Sequence, residues 1–279
     1  MAATAFQTQY RQEFIAGFEF RQSLLRSTTV TDTVIKGNTA TFLVADSGAA
    51  SATTRGVNGL IPARSDSLTQ ASATLAEWHD LVQKTGFNVF ASQGDQRRIM
   101  QETSMAVVNR KIDLDIIAQL DTATNDTGGY ATASLAMVAK SKAILGINYV
   151  PTNEVENMFA VVTPAFMAYL MQVREFASAE YVDSKPFTGR PGTILRWYGV
   201  NWIENPLLTG TGGATEKCYM YHRNSIGHAL DKANLQAPVG YNEEQDYSYS
   251  RVTGFFGSKL LQNSGVVQMK HDGSAYIAA

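Results

Sequence analysis

GDQRRIMQETSMAVVNRKIDLDIIAQL, residues 94–120, decides how the rest of this chain is read. Met105, Val108, Ile112, Ile116 and Leu120 recur at three- and four-residue spacing, so they share one face of a helix. Arg97, Arg98, Glu102, Arg110, Lys111 and Asp115 occupy much of the remaining surface. Twenty-odd residues rising about 1.5 Å each make a rod of roughly 35–40 Å. A rod of that length in a chain of 279 residues should be the backbone of a domain. Its carboxylates Asp113 and Asp115 lie about 200° apart around the helix, too far to share one ion, and solvated helix charges are expected there.

Upstream, residues 30–44 place β-branched residues on both sides of Gly37-Asn38, which reads as strand, turn, strand. Residues 46–74 are rich in Ser, Ala, Thr and Gly and poor in large apolar side chains. A segment this long without a core of its own is functional or flexible. The functional reading is an extended hairpin that finds its partners on another molecule. Residues 75–90 return to strand-like sequence. At the start of the chain, Tyr10, Phe14 and Phe18 recur at every fourth position as a weak amphipathic stripe. They suit either a surface helix on its own domain or an arm docked on another subunit.

Downstream, TATNDTGG breaks the pattern, and a second helix is expected over residues 131–145 with Gly146 as its cap. A strand at residues 158–162 runs into Thr163-Pro164, an N-cap followed by proline at the first helical position. The next strand, residues 193–204, carries Trp197 and Trp202 and stops at Asn205-Pro206. Strand is expected at 218–223, a turn or short helical piece at 224–234, and strands again from 248 to 269. The order is strands, long helix, α/β insertion, strands. That is an α+β chain whose ends share one unit while the middle forms another.

Hydrophobic residues make up 44% and charged residues 17% of the chain, against an average near 25% charged in globular proteins. A surface so lightly charged suits extensive subunit packing. The net charge is −2 with no basic run, which argues against a dedicated nucleic-acid binder but not against a protein that encloses nucleic acid without gripping it. Cys218 is the only cysteine, so no intrachain disulfide can form. The first residues lack a signal-peptide pattern, and the longest apolar run, residues 158–171, is too short and too interrupted to span a membrane.

Catalytic and metal chemistry finds little to stand on. TGTGGATEK, residues 209–217, lacks the Lys-Ser/Thr pair of a phosphate loop and runs from strand to strand, so a flexible connection is expected. His79, His222, His228 and His271 include no pair at zinc-site spacing. No nucleophile, base and orienting group can be assembled with them or with Cys218. No cofactor and no metal are expected.

Taken in order, the pieces resemble the major capsid proteins of tailed bacteriophages, the Johnson fold named after phage Hong Kong 97. The likeness rests on ETSMAVVNRKIDLDIIAQL, ILGINYVP, MFAVVTPAFMAYLM, GVNWIENPLL, YMYHRNSIGHAL and FFGSKLLQNSGVVQMK. It covers nearly the whole chain, and the order of the motifs carries it. The resemblance implies an N-terminal arm (1–28), peripheral-domain strands (29–45), an extended hairpin loop (46–75), a peripheral domain with the spine helix (76–122), an axial domain (123–245) and a return to the peripheral domain (246–279). It implies a structural protein that assembles with itself into pentamers and hexamers of an icosahedral head around double-stranded DNA, in the virion after assembly in the host cytoplasm. Scaffolding, portal and decoration or cement proteins are the implied partners, with no membrane. Arg55, Val57, Leu60, Ile61 and Arg64 on the hairpin, with Tyr10, Phe14 and Phe18 on the arm, are the implied inter-subunit residues. Some relatives weld this hairpin to a neighbour through a Lys–Asn isopeptide bond. Between Asp46 and Leu75 there is no lysine, so the contact is expected to be non-covalent. Two alternatives stay open: an encapsulin-type nanocompartment shell of the same fold, and an α/β enzyme with an unrecognised site.

Overall fold

The computed structural model describes residues 22–33, 37–47, 50–64, 67–91, 96–174, 195–231 and 235–275. Tyr10, Phe14 and Phe18 lie outside the described residues. The chain enters as a 3-10 turn, Arg26–Thr28, and strand β1 (Val30–Asp32). Strands β2 (Thr39–Asp46) and β3 (Ser67–Thr74) form a hairpin with a long connection. Then come β4 (Ala76–Thr85), α1 (Gly86–Ala91) and the rod α2 (Gln96–Leu120). A middle section holds α3 (Leu135–Ile147), β5 (Met158–Val162), α4 (Pro164–Gln172), β6 (Leu195–Trp197), β7 (Val200–Glu204) and β8 (Glu216–His222). The chain closes with β9 (Ile226–Leu230), β10 (Val239–Asn242), β11 (Tyr247–Leu260) and β12 (Val266–His271).

These strands make two five-stranded sheets besides the hairpin. In the first, β11 is central: β4 runs along one side of it, and β10 and β9 share the other, with β1 beyond β9. The second has the order β12-β8-β5-β7-β6. Helix α2 lies along β11 and β4, and α3 lies against β12 and β8. Strands β5 and β7 are parallel, which requires a crossover, and α4 lies within it. Its start was legible: Thr163 accepts a hydrogen bond from the Phe166 amide, and Pro164 occupies the first turn. The rod turns the expected face inward. Val108, Ile112, Ile116 and Leu120 are buried in a core they share with strands of both sheets.

Several sequence expectations need correction. The boundary at residue 245 does not follow the sheets. Strands β9 and β10, before it, belong to the first sheet, whereas β12, after it, belongs to the second. Residues 226–230, expected as a turn or helical piece, are a fully buried strand, held parallel to β1 and antiparallel to β11. Residues 195–204 are a hairpin rather than one strand. Tyr198 and Gly199 both adopt positive φ, 55° and 68°, the turn that matches the twist of two paired strands. That turn brings Trp202 back over Trp197, whose carbonyl accepts the Trp202 indole N–H at 3.1 Å. Helix α3 begins after the N-cap Ser134 and runs through Gly146 to Ile147. Tyr149, at φ 58°, takes the left-handed position expected of the glycine. Strand β4 ends at Thr85, and residues 86–91 are helical. Asp113 is no solvated charge: it is 2% exposed.

Candidate assembly surface

The β2–β3 hairpin pairs in one register from Thr39↔Thr74 to Asp46↔Ser67. Its base is seated on the first sheet through small residues. Ala40 and Ala73 bury themselves against Ala229 of β9, with Phe42 and Leu75 packed around them. Two glycines make the close approach possible. A Cβ on Gly227 would stand 2.8 Å from the Phe42 ring, and one on Gly257 would stand 2.2 Å from the Thr74 carbonyl oxygen. Beyond this seat the hairpin changes character. Leu43 and Leu68, on the face turned away from the sheet, are 70% and 61% exposed. At the tip Leu60 and Ile61 are exposed to a similar degree and Val57 completely.

The tip has an internal scaffold. Gly59 N–H donates to the Gly56 carbonyl and Gly56 N–H to the Leu60 carbonyl, at 2.8 and 3.0 Å. Arg55 donates to the Gly59 carbonyl and Arg64 to the Ser47 carbonyl, both at 3.3 Å. The two guanidinium groups, implied as inter-subunit residues, thus each bond their own loop. The structure brings Arg55, Val57, Leu60, Ile61 and Arg64 together on one projecting element. Leu43 and Leu68 were missed in the sequence. For Leu43 the available signal was TATFLVAD, which is apolar at consecutive positions and so on both faces of a strand; Leu68 sits alone among polar and small residues and gave none.

Burying one such aliphatic side chain is worth about 1.5–3 kcal/mol. Five of them give roughly 7–15 kcal/mol gross, against about 4–15 kcal/mol for the freedom lost on association. A single hairpin contact is therefore marginal. Many contacts closing at once are not, because later ones form within an assembly that has already lost its freedom.

The polar groups of the second sheet are locked into structure. At the C-terminal end of α2, Asp121 accepts hydrogen bonds from Thr209 Oγ1, Lys217 Nζ and Tyr219 OH. Burial pushes its carboxyl up, but those three donors outweigh burial and hold it below the usual carboxylate range. They tie the segment between β7 and β8 to the rod. The connection read as flexible is thus a hydrogen-bonded loop with Leu208 buried. The closest approach to a catalytic constellation is Thr163, Glu216, Cys218 and His271. Glu216 accepts from Thr163 Oγ1 and from the Gly212 amide, while His271 Nε2 stands 3.8 Å from the same carboxylate. All four residues have no exposed surface, and burial pushes the Cys218 thiol up to about 12. They are packing groups closed to a substrate. Among the described residues no three His, Cys, Asp or Glu side chains are placed to hold a metal ion.

Solved structures share this architecture. The capsid of cyanophage P-SCSP1u superposes with a TM-score of 0.71 at 12% identity, over 96% of this chain and 93% of that one. Mycobacterium phage Che8 gives 0.68 at 13% identity, over 95% and 97% of the two chains. The capsid of a native GTA particle gives 0.68 at 12% identity, over 96% of each. The fold is that of phage major capsid proteins. No curated protein matches the chain by sequence. The phage capsid protein family model, however, matches residues 2–273, and the chain belongs to that family. This membership favours a phage shell over the nanocompartment and enzyme alternatives.

Proposed function

We propose that this chain is the repeating unit of an icosahedral phage head, closing with copies of itself into pentamers and hexamers around double-stranded DNA. The observation that carries the reading is the hairpin: a base fixed to its own sheet, and a shank and tip on which Leu43, Leu68, Val57, Leu60 and Ile61 stand exposed. Residues 46–75, with Arg55, Val57, Leu60, Ile61 and Arg64, act as the extended loop that reaches a neighbouring subunit. Residues 1–28, with Tyr10, Phe14 and Phe18, act as an arm. The first sheet with α2 forms the peripheral unit, and the second sheet with α3 and α4 forms the axial unit. Assembly takes place in the host cytoplasm with scaffolding and portal proteins. A decoration or cement protein reinforces contacts that are non-covalent. With a net charge of −2, the shell confines DNA rather than binding it.

The test replaces residues 47–66 with Asn-Gly, which closes the last pair, Asp46↔Ser67, with a two-residue turn. The subunit should stay folded by circular dichroism, and electron microscopy should show no closed shells. Normal shells from this variant would refute the reading.

A further inference from the structure

Asp113 sits in the middle of the rod, is 2% exposed, and belongs to none of the contacts above. Both its oxygens face the start of the described chain. Oδ1 accepts from Ser23 Oγ at 2.5 Å and from the Leu25 amide at 3.1 Å, and Oδ2 accepts from the Leu24 amide at 3.1 Å. Ser23 Oγ in turn accepts from the Arg26 amide at 3.2 Å. Among the described residues every hydrogen-bond partner of the carboxylate is a donor from residues 23–25, and none is a cation. Burial pushes its carboxyl up, and these three donors are what oppose that shift. An unpaired buried charge is expensive unless such donors satisfy it. The grip and the charge therefore sustain each other.

The chain beyond this point is held by other means. Leu25 is fully buried in the main core. Thr28 Oγ1 donates to the Leu25 carbonyl and lies 2.6 Å from the buried Tyr221 hydroxyl of β8. Arg223 Nε donates to the Thr29 carbonyl, and β1 pairs with β9. Residues 26–32 thus cross from the rod to both sheets without needing Asp113. The carboxylate acts on one place only among the described residues: the stretch 23–25, at which the described chain begins.

We infer that Asp113 is a positioning residue that clamps residues 23–25 to the rod and so fixes where the N-terminal arm departs towards a second copy of the chain. The inference rests on the shell-forming reading, but the clamp can be measured apart from it. In unassembled full-length subunits, Asp113→Asn keeps the shape while setting an amide N–H₂ against a donor. Exchange of the Leu24 and Leu25 amides should speed up at least about tenfold, with the Val30–Asp32 amides unchanged. In an assembly reaction the same variant should lose most of its shell yield. Ser23→Ala, which leaves the rod untouched, should show both effects at reduced size. It decides the matter alone if Asp113→Asn does not fold. Unchanged exchange at Leu24 and Leu25 would refute the clamp. Faster exchange with full shell yield would refute its role in assembly. Failure of the wild-type chain to form shells would instead sink the reading beneath it, leaving the exchange result standing.

Discussion

Strand β5 and the tip of the β2–β3 hairpin are made of similar material and end in opposite states. All five residues of β5, Met-Phe-Ala-Val-Val, are buried, between β8 and β7 and within the main core. Val57, Leu60 and Ile61 at the tip all stand in solvent. The difference lies in what surrounds them. Strand β5 is central in a five-stranded sheet, so both its faces and both its edges are satisfied within the chain. The hairpin is two strands wide, and two strands cannot shelter their own apolar side chains in water. One region is completed by folding; the other, on the proposed function, is completed by assembly. Substitutions in the two should therefore separate stability from shell formation.

The largest effect should come from putting the same charge into each region. Ile116 is fully buried on the inward face of the rod. Ile116→Asp would leave an unpaired carboxylate there and should cost several kcal/mol, enough to make the subunit insoluble. Ile61→Asp on the hairpin should leave the unfolding midpoint nearly unchanged and abolish closed shells. Chemical denaturation and electron microscopy of the two variants check this. A large loss of stability in Ile61→Asp would mean that the hairpin packs on its own chain after all.

Acid should reach the folded body next. His228 in β9 is fully buried, its Nδ1 is 3.0 Å from Ser258 Oγ, and burial lowers its pKa from 6.5 to about 4. Burial lowers that of His271 as well. A histidine held neutral in the fold takes up a proton more readily when unfolded. The stability it contributes is therefore complete above about pH 6.5 and is lost as the pH falls towards 4. For His228 alone the loss is about 3 kcal/mol across that window. Urea unfolding between pH 7.5 and 4.5 should show the decline, and His228→Gln should flatten it. An equal slope in the variant would show that other groups carry the acid response.

How much of this was legible in the sequence depends on the range of the interactions involved. The rod was readable because its periodicity is local, and Thr163-Pro164 because a cap is written in adjacent residues. Strand β9 was not, because Ile226–Leu230 is a strand only by pairing with β1 and β11, segments far away in the chain. The turn at Tyr198-Gly199 was half visible. Glycine announced a break, but a tyrosine at φ 55° is imposed by the pairing of β6 with β7. Asp113 was misjudged for the same reason, since its partners lie some ninety residues away. On the hairpin, Val57, Leu60 and Ile61 stood out as the few large apolar residues in a polar stretch. Leu43 and Leu68 did not, because which face of a strand is covered depends on what lies beneath it.

The smallest effect should come from the arginines of the tip. Both donate to carbonyls of their own loop and are exposed to solvent. Removing such a contact changes stability by no more than about 0.5 kcal/mol. In the Arg55→Ala, Arg64→Ala double variant the unfolding midpoint should therefore stay where it is, and shells should form two- to threefold more slowly as the tip loses internal order. Salt gives the sharper discrimination. If apolar burial at Val57, Leu60 and Ile61 holds the subunits together, assembled shells should tolerate a rise from about 0.1 to 1 M salt, which shortens the Debye length from about 10 to 3 Å. If guanidinium–carboxylate pairs between copies dominate, wild-type shells should fall apart across that range and the double variant should already be defective at low salt. Dissociation measured by light scattering for both chains separates the two outcomes. Salt-induced collapse of the wild type would transfer the holding role from the aliphatic side chains of the hairpin to its charges.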